Sequence, residues 1–499
     1  MVVIALSLSS KKVIMLLLLS VLLTLVFAAN VEIGQNKFEK VKYANNILEE
    51  RFSGIMTSLR SIAKSYSDGI SVQWEKIKKP LSLVEKQYKG LSLLILPDGN
   101  YYSGTRNFTG LNLKNREYFL PLMNGEEVYG YPVFSKSTGK KSLVFAVPVF
   151  FGEKVIAAVG FTCYLDIVNS WIEKKAIISD DCEFYVLEPN GKIIISNDYS
   201  YLFEEMDFVA EGINDNMSVY RGESGFYAYI EEKEERVISY SISENGFISL
   251  ISEKEASEIN HAKLFLMKVQ RKIGDIMIDL DWNLENASRQ IDENTTEEEI
   301  LNILSELQHK SEYIIDTSFI DKEGYIRYIV PEEYSGYKDE YVGDQEHIVK
   351  LRQTGYPVMS DVFTSVEGFD SIDIEWPVYS SKGEYIGSLS YLIKPIIFLE
   401  NILSSIKHST YEFWLMNVYG RIIFDKDEYE IGQNLFEEGI YSEFPELVEL
   451  GKQMVKQRFG EGNYEFFLEG SEEINNKKVI WTTIGLHDTF FRLLLSFKN

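Results

Sequence analysis

The sequence predicts an α+β fold of four small antiparallel-sheet modules, two in each half of the chain, with long helices at the start of each half. Helix-like apolar spacing opens each half, and hairpin signals follow it four times. The second half also repeats short motifs of the first in the same order, at an offset of about 225 to 233 residues. Because this offset is far too long for a solenoid repeat, the simplest interpretation is a duplicated domain.

Five pairs of motifs carry the repeat. They are 131–133 with 356–358, 147–149 with 376–378, 183–185 with 412–414, 191–194 with 420–423, and 203–205 with 436–438. Apolar residues at steps of three and four predict an amphipathic helix over 41–62 and another over 259–291. The second pattern breaks at 292–294, where Thr295 or Thr296 precedes three glutamates and predicts the N-cap of a further helix.

Turns that end in glycine, placed between apolar strands, predict one hairpin in each module. They lie at 98–99, 190–191, 323–324 and 417–420. The chain of 499 residues is 45% hydrophobic, so it can bury large cores, and we expect it to be folded.

Charge and motif content exclude several classes of function. The formal net charge of −26, without a basic cluster, argues against nucleic acid as a partner. The five histidines have no metal-ligand spacing, and there is no P-loop, nucleophile elbow or Rossmann signature. The carboxylates of 425–430 alternate as in part of a calcium loop, but the Gly and the closing Glu are misplaced, so we expect a polar turn. We therefore expect no enzyme, no metal and no cofactor.

The N-terminal residues 1–30 have the layout of a signal peptide or a membrane anchor. Lys11 and Lys12 precede an apolar run over 13–29, and the positive flank places the rest of the chain outside the cytoplasm. Two alternatives stay open: a single anchor in the cell membrane, or secretion after signal cleavage. Cys163 and Cys182 do not make a disulfide framework; we expect Cys163 to be a buried apolar residue, with a bridge between the two as the weaker alternative.

Further motifs carry a resemblance to a known family. In the first half they are 96–99, 115–119, 147–149 and 159–161, and in the second 355–358, 376–379, 386–388 and 431–436. On these motifs the chain resembles the double Cache sensor domains, which are extracytoplasmic PAS-like modules of prokaryotic chemoreceptors and sensor kinases. The second half is also similar to Cache-type proteins common in methanogenic archaea. The resemblance covers nearly all of residues 31–499.

The resemblance implies tandem double Cache domains, each with a long N-terminal helix, a membrane-distal module that usually holds the ligand, and a membrane-proximal module. The first domain would be 31–255, with its distal module at about 85–175 and its proximal module at about 176–255. The second would be 256–499, with helices over 256–311, its distal module at about 312–408 and its proximal module at about 409–499.

The resemblance also implies a ligand site in the first distal module. In amino-acid-binding members, an Arg-x-Trp-Tyr element grips the ligand carboxylate. Here Arg116 is kept, Tyr118 stands for the Trp, Phe119 replaces the carboxylate-binding Tyr, and Thr162 falls where the ammonium-binding Asp is expected. We therefore expect a small polar or anionic ligand instead of amino acids in general. The expected ligand-binding residues are Arg116, Tyr118, Phe119, Phe134, Thr162, Tyr164 and, in the second half, His347. The alternative is that Arg116 is a surface or helix-capping arginine, with Tyr118 and Phe119 in the core.

The second half has Gln345 to Ile348 where the first has its arginine element, so any ligand there should differ. His347 is either a neutral donor or pH-responsive group, or a purely structural residue. Four acidic residues lie in the strands before Trp376: Asp361, Asp370, Asp373 and Glu375. They could favour a cation, but a solvated acidic edge is the preferred interpretation.

The expected function is extracytoplasmic small-molecule sensing without an output domain of its own. The signal would pass to a membrane partner such as a kinase or a chemoreceptor-like protein, and family resemblance implies a homodimer through the helix at 41–62. Two alternatives are a solute-binding protein that serves a transporter and a structural surface protein whose ligand pockets have degenerated.

Overall fold

The computed structural model describes residues 38–67, 72–173, 182–188, 191–196, 201–204, 225–231, 234–243, 245–253, 258–406, 411–437, 439–467 and 474–498. The predicted signal or anchor at 1–30 lies outside these residues. Among the described helices, none has the length and apolar content needed to cross a membrane.

The described helices include the two long ones and the shorter one that the sequence predicts. They are α1 (38–65), α2 (Trp74–Tyr88), α3 (Phe119–Met123), α4 (Leu165–Glu173), α5 (Glu258–Ser288), α6 (Glu297–Gln308), α7 (Glu346–Thr354), α8 (Pro395–Ser404) and α9 (Pro445–Lys456), with 3₁₀ helices at Glu332–Tyr337 and Ile440–Glu443. The two predicted long helices are confirmed as α1 and α5. The N-cap of α6 is Thr296, which forms a capping box with Glu299.

The described strands form four sheets. The first contains β1 (Gly90–Ile95), β2 (Asn100–Ser103), β3 (Asn107–Asn112), β4 (Val128–Phe134), β5 (Lys141–Phe151) and β6 (Lys154–Tyr164), in the order β3-β2-β1-β6-β5-β4. The second contains β7 (Cys182–Leu187), β8 (Ile193–Ser196), β9 (Gly225–Glu231), β10 (Glu234–Ile242) and β11 (Ile248–Glu253), in the order β8-β7-β11-β10-β9.

The third sheet contains β12 (Ile314–Asp321), β13 (Ile326–Val330), β14 (Val358–Met359), β15 (Phe363–Thr364), β16 (Asp370–Tyr379) and β17 (Tyr385–Ile393). Its order is β13-β12-β17-β16-β14, and β15 pairs with β16. The fourth contains β18 (Glu412–Asn417), β19 (Ile422–Phe424), β20 (Gly460–Phe467), β21 (Ile474–Leu486) and β22 (Thr489–Lys498), in the order β19-β18-β22-β21-β20.

Strand order agrees between the two halves. The second and fourth sheets have the same order, and the strands β2-β1-β6-β5-β4 of the first sheet correspond to β13-β12-β17-β16-β14 of the third. Each sheet includes the predicted hairpin, namely β1–β2, β7–β8, β12–β13 and β18–β19, and all pairings are antiparallel. The turn glycines Gly99 and Gly420 have φ of 84° and 89°, a conformation that glycine adopts without strain. The predicted α+β fold with four antiparallel sheets is confirmed.

The sheets fall into two compact units. The second sheet belongs to one unit, and the first, third and fourth sheets belong to the other. In the first sheet, the central strand β1 is buried along its length, whereas the edge strand β3 alternates between half-buried and exposed residues. Cys163 on β6 is a buried free thiol, so the bridge to Cys182 is not formed.

Candidate functional site

The third sheet carries a small, partly open cavity of about 30 Å³, lined by acidic and hydroxyl side chains. Strand register explains why these residues meet. Asp316 on β12 and Asp373 on β16 are both paired with Leu392 on the central strand β17. Paired residues of antiparallel strands point to the same face of a sheet, so both carboxylates lie on one face. Side chains two positions along these strands share that face, which adds Ser390 and Glu375.

The carboxyl groups on this face are buried with few partners. Asp316 is 3% exposed, and its Oδ2 has no hydrogen-bond partner among the described residues. Burial, followed by repulsion from Glu367 and Asp373, raises the pKa of Asp316 well above its usual range. The carboxylate of Asp373 accepts hydrogen bonds from Ser390 Oγ at 2.7 and 2.8 Å. The site therefore has an excess of negative charge.

Glu375 extends this negative charge along β16. Its carboxylate accepts a hydrogen bond from Ser388 Oγ, while its Oε2 has no partner within the described part of the chain. Burial, followed by repulsion from Asp373, raises the pKa of Glu375 to about 7. A buried carboxylate without full compensation favours its neutral form, or a cation brought to it.

His347 is the titratable group that faces these carboxylates from α7. The helix begins at Glu346, which places His347 in its first turn, 6% exposed. Its Nε2 lies 3.5 Å from Asp373 Oδ2, and its ring centroid is 5.0 Å from that of Phe363. Burial lowers the pKa of His347, but Asp373 and Glu375 raise it by more, so the net shift is upward.

The preferred interpretation of the acidic residues as a solvated edge was wrong for two of the four. Asp373 and Glu375 are 4% and 0% exposed, because β16 lies between β17 and β14 inside the sheet. Asp361 and Asp370 are partly exposed. Asp361 accepts a hydrogen bond from Asn417 at 3.0 Å, and Asp370 accepts one from Arg421 at 2.5 Å. Sequence reasoning missed Asp316 altogether, although its alternation with Ser318 on β12 was a signal for one shared face.

The arginine element of the first half lies between β3 and α3. Arg116 is half-buried, and its Nη2 donates a hydrogen bond to the main-chain oxygen of Phe134 at 2.6 Å. Its Nε is buried without a partner among the described residues. Tyr118 and Phe119 are each 6% exposed, and the Tyr118 ring meets that of Tyr131 edge-on at 5.4 Å. The structure thus brings Arg116 to the end of β4, where the exposed ring of Phe134 lies.

Thr162 and Tyr164 lie on β6 and are buried. Tyr164 donates a hydrogen bond from its hydroxyl to Glu285 Oε1 on α5 at 2.6 Å, and Lys140 Nζ lies 4.2 Å from the centre of its ring. The hydroxyl of Tyr164 is therefore already used by the chain. His347 faces Asp373 of the third sheet and is not part of this group.

Metal binding is not indicated by the described residues. Within them, no group of three or more His, Cys, Asp or Glu side chains is arranged to hold a metal ion. The carboxylates of the third sheet are hydrogen-bonded to serine hydroxyls, which suits an organic cation that donates several hydrogen bonds.

The segment with the cavity matches a family of sensor domains. Residues 275–395, which contain α6 and every strand of the third sheet, match the family described as HK/GC/chemotaxis protein-like, sensor domain. No curated protein matches this chain.

Several solved structures are similar to this chain. An extracellular ligand binding receptor from Desulfohalobium retbaense is 27% identical, with a TM-score of 0.42; the match covers 54% of this chain and 47% of that one, so the chain spans about half the length of that receptor. The ligand-binding domain of the Campylobacter jejuni chemoreceptor Tlp3, in complex with L-norvaline, is 12% identical with a TM-score of 0.36, covering 44% of this chain and 89% of that one. The ligand binding domain of the Pseudomonas aeruginosa amino acid chemoreceptor PctB, in complex with L-Arg, is 12% identical with a TM-score of 0.37, covering 48% and 87%.

Proposed function

We propose that this chain is an extracytoplasmic small-molecule sensor of the tandem double Cache type, and that the cavity of the third sheet binds a small organic cation, such as an amine. The observation that carries this proposal is the set of buried carboxyl groups on one face of β12 and β16, among which Asp316 has an oxygen without a partner. The match of residues 275–395 to a sensor-domain family supports the sensing role.

An ammonium group fits this face for two reasons. It supplies N–H donors to Asp316 and Asp373, and hydrogen bonds between ionised partners are roughly twice as strong as neutral ones. It also supplies positive charge where buried carboxyl groups repel each other; burial first, and this repulsion second, raise the pKa values of Asp316 and Glu375. The aromatic ring of Phe363 lines the same cavity and offers a face to a cation.

Signalling by such a site requires two arrangements of the domain with different ligand affinity. The positive flank at Lys11 and Lys12 places the sensor outside the cytoplasm in this proposal, with an anchor in the membrane. The signal then passes to a membrane partner, and a homodimer through α1 is the arrangement that the family resemblance favours. Delivery of the same amine to a transporter is the alternative that uses the same site.

Arg116 supports a second candidate site, for an anion. Its Nε is buried without a partner among the described residues, and Lys136 lies close enough that burial and then the charge of Arg116 lower the pKa of Lys136. Lys136 already donates hydrogen bonds to Asn112 O and Asn115 Oδ1, so Arg116 is the cation that favours a carboxylate or phosphate ligand here.

The test is a thermal-shift titration of the purified full chain with methylammonium, ethylammonium, acetate and inorganic phosphate. A ligand that binds only the folded protein at 100 times its Kd stabilises it by about 2.7 kcal/mol. We expect an amine to raise the melting temperature of the wild type and of Asp344→Asn, an exposed control on the same module, but not of Asp316→Asn. The Asp316→Asn chain should itself melt higher than the wild type, because the substitution removes an unpaired buried carboxyl group.

Three outcomes oppose parts of this proposal. An amine effect that survives Asp316→Asn contradicts the cavity assignment. Stabilisation by acetate or phosphate that is lost in Arg116→Ala supports the second candidate instead. The absence of an effect from every probe contradicts both sites for these ligand classes and favours a structural role.

A further inference from the structure

The fourth sheet carries a second small, partly open cavity, of about 40 Å³, at the polar end of its helix-covered face. Strand register again explains its composition. Glu412 on β18 is paired with Ser496 on β22, and Trp414 with Leu494. Alternation puts Glu412 and Trp414 on one face of β18, and that face also carries the core that packs against α9. The core thus ends in a group of polar side chains.

Trp414 contributes a hydrogen-bond donor without an acceptor. The side chain is 7% exposed and lines the cavity, and its Nε1 is buried with no partner among the described residues. Buried indole N–H groups normally find a partner. The missing partner is an acceptor atom, because the indole nitrogen can only donate.

Two carboxylates line the same cavity from the turn after β19. This turn is the predicted polar turn: Asp425 Oδ1 accepts a hydrogen bond from the main-chain nitrogen of Asp427 at 2.9 Å. Glu430 Oε2 accepts a hydrogen bond from the hydroxyl of Tyr441 at 2.7 Å. Burial is the main cause that raises the pKa of Asp425 to about 6 and of Glu430 to about 7, so the chain itself compensates these charges poorly.

The lining contains one Lys or Arg side chain, Lys477, which pairs with Glu412. Its Nζ lies 2.6 Å from Glu412 Oε2; its charge also lowers the pKa values of Asp425 and Glu430, but burial outweighs it at both, so these two carboxyl groups are only partly compensated. Within the described residues, no group of three or more ligating side chains is arranged to hold a metal ion. An organic ammonium group can instead use both carboxylates and the aromatic ring of Tyr441.

We propose that this cavity of the fourth sheet is a second ligand site, which binds a small ammonium compound that also carries a hydrogen-bond acceptor. Its ammonium group lies between Asp425 and Glu430, and its acceptor receives the hydrogen bond from Trp414 Nε1. Amino alcohols and amino acids have this combination. The site shares no residue with the cavity of the third sheet, so it does not depend on the function proposed there.

Isothermal titration calorimetry of the purified full chain tests this site. The Asp316→Asn chain is titrated with ethanolamine, glycine and ethylammonium, so that an amine site in the third sheet does not contribute. We expect ethanolamine or glycine to bind, and ethylammonium, which lacks the acceptor, to bind at least about tenfold more weakly. Glu430→Gln should weaken binding by at least about tenfold, whereas Glu428→Gln, an exposed control in the same turn, should leave it unchanged.

Trp414→Phe isolates the acceptor part of the proposal. This variant keeps a ring in the core but removes the donor, so it should bind ethanolamine and ethylammonium with nearly equal affinity. If Trp414→Phe does not fold, as judged by circular dichroism, the Glu430→Gln and Glu428→Gln pair still decides. No binding of either ethanolamine or glycine, or equal loss in Glu430→Gln and Glu428→Gln, overturns the proposal. Amine binding to the wild type that disappears in Asp316→Asn assigns all binding to the third sheet and also overturns it.

Discussion

Lys140 and Asp281 form a buried ion pair whose removal should destabilise the protein strongly. Lys140 Nζ lies 2.7 Å from Asp281 Oδ2, and the two side chains are 8% and 0% exposed. Asp281 also accepts hydrogen bonds from Trp376 Nε1 at 2.5 Å and pairs with His487 Nε2 at 2.6 Å. Burial alone would raise the pKa of Asp281, but His487 and Lys140 outweigh it and hold that pKa well below its usual value.

The perturbation is Lys140→Met, which keeps most of the apolar stem and removes the charge. Removing one partner of a buried pair costs about 3–5 kcal/mol, because the other charge stays buried. Since Asp281 keeps its contacts with Trp376 and His487, we expect the lower end, about 3 kcal/mol. The matched control is Lys89→Met, since Lys89 pairs with Asp279 on the same helix at 3.3 Å with side chains 39% and 52% exposed. An exposed pair of this kind contributes about 0–1 kcal/mol.

Urea denaturation followed by circular dichroism measures both variants against the wild type. The comparison uses the transition midpoint and slope together, because a chain with two compact units need not unfold in one step. A loss below about 1 kcal/mol in Lys140→Met, or equal losses in Lys140→Met and Lys89→Met, would refute the reasoning.

Three further predictions test single features of the fold. Glu375→Gln should be more stable than the wild type by about 3 kcal/mol at pH 8 and by about 1 kcal/mol at pH 5, by thermal denaturation. The reason is that the pKa of Glu375 is raised to about 7 in the folded protein, against about 4.5 in the unfolded chain. The raised pKa does not lower the free energy of unfolding below pH 4.5, and it lowers it by the full amount above pH 7. Thr296→Ala should lower the protection of α6 amides against hydrogen exchange about fivefold, equivalent to about 1 kcal/mol of capping, whereas Glu298→Ala, in the same turn, should change it much less. In a Cys182→Ser chain, a thiol reagent should find Cys163 unreactive until the protein is denatured, because burial raises the thiol pKa well above its usual value.

Local patterns were sufficient to predict the long helices, the N-cap of α6 and the four hairpins. The spacing over 41–62 and 259–291 predicted α1 and α5, because a helix that buries one side needs an apolar residue every three or four positions. The N-cap at Thr296 followed from its own side chain and the glutamate three residues later. Each hairpin required only a turn glycine and two apolar strands.

The burial of the acidic residues could not be read from local sequence. The alternation of Asp373 and Glu375 with apolar residues fits an edge strand as well as a central one. Only the position of β16 between β17 and β14 decides, and that order comes from pairings between distant segments. Arg116 shows the same limit: family resemblance predicted a ligand-binding guanidinium, yet Phe134, whose carbonyl accepts its hydrogen bond, is 18 residues away.

Strand β16 connects the cavity of the third sheet with the buried ion pair. Asp373 points from this strand to the cavity and Glu375 lies on the same face, whereas Trp376 points to the opposite face, where its indole donates to Asp281 on α5. A displacement of α5 along its axis must therefore move β16 or break the bond between Trp376 and Asp281. Because Lys140 in the first half pairs with the same carboxylate, the helix and both halves of the larger unit share one buried charge. A ligand that binds the cavity more tightly in one position of β16 consequently acts on α5 directly, without an intervening loop.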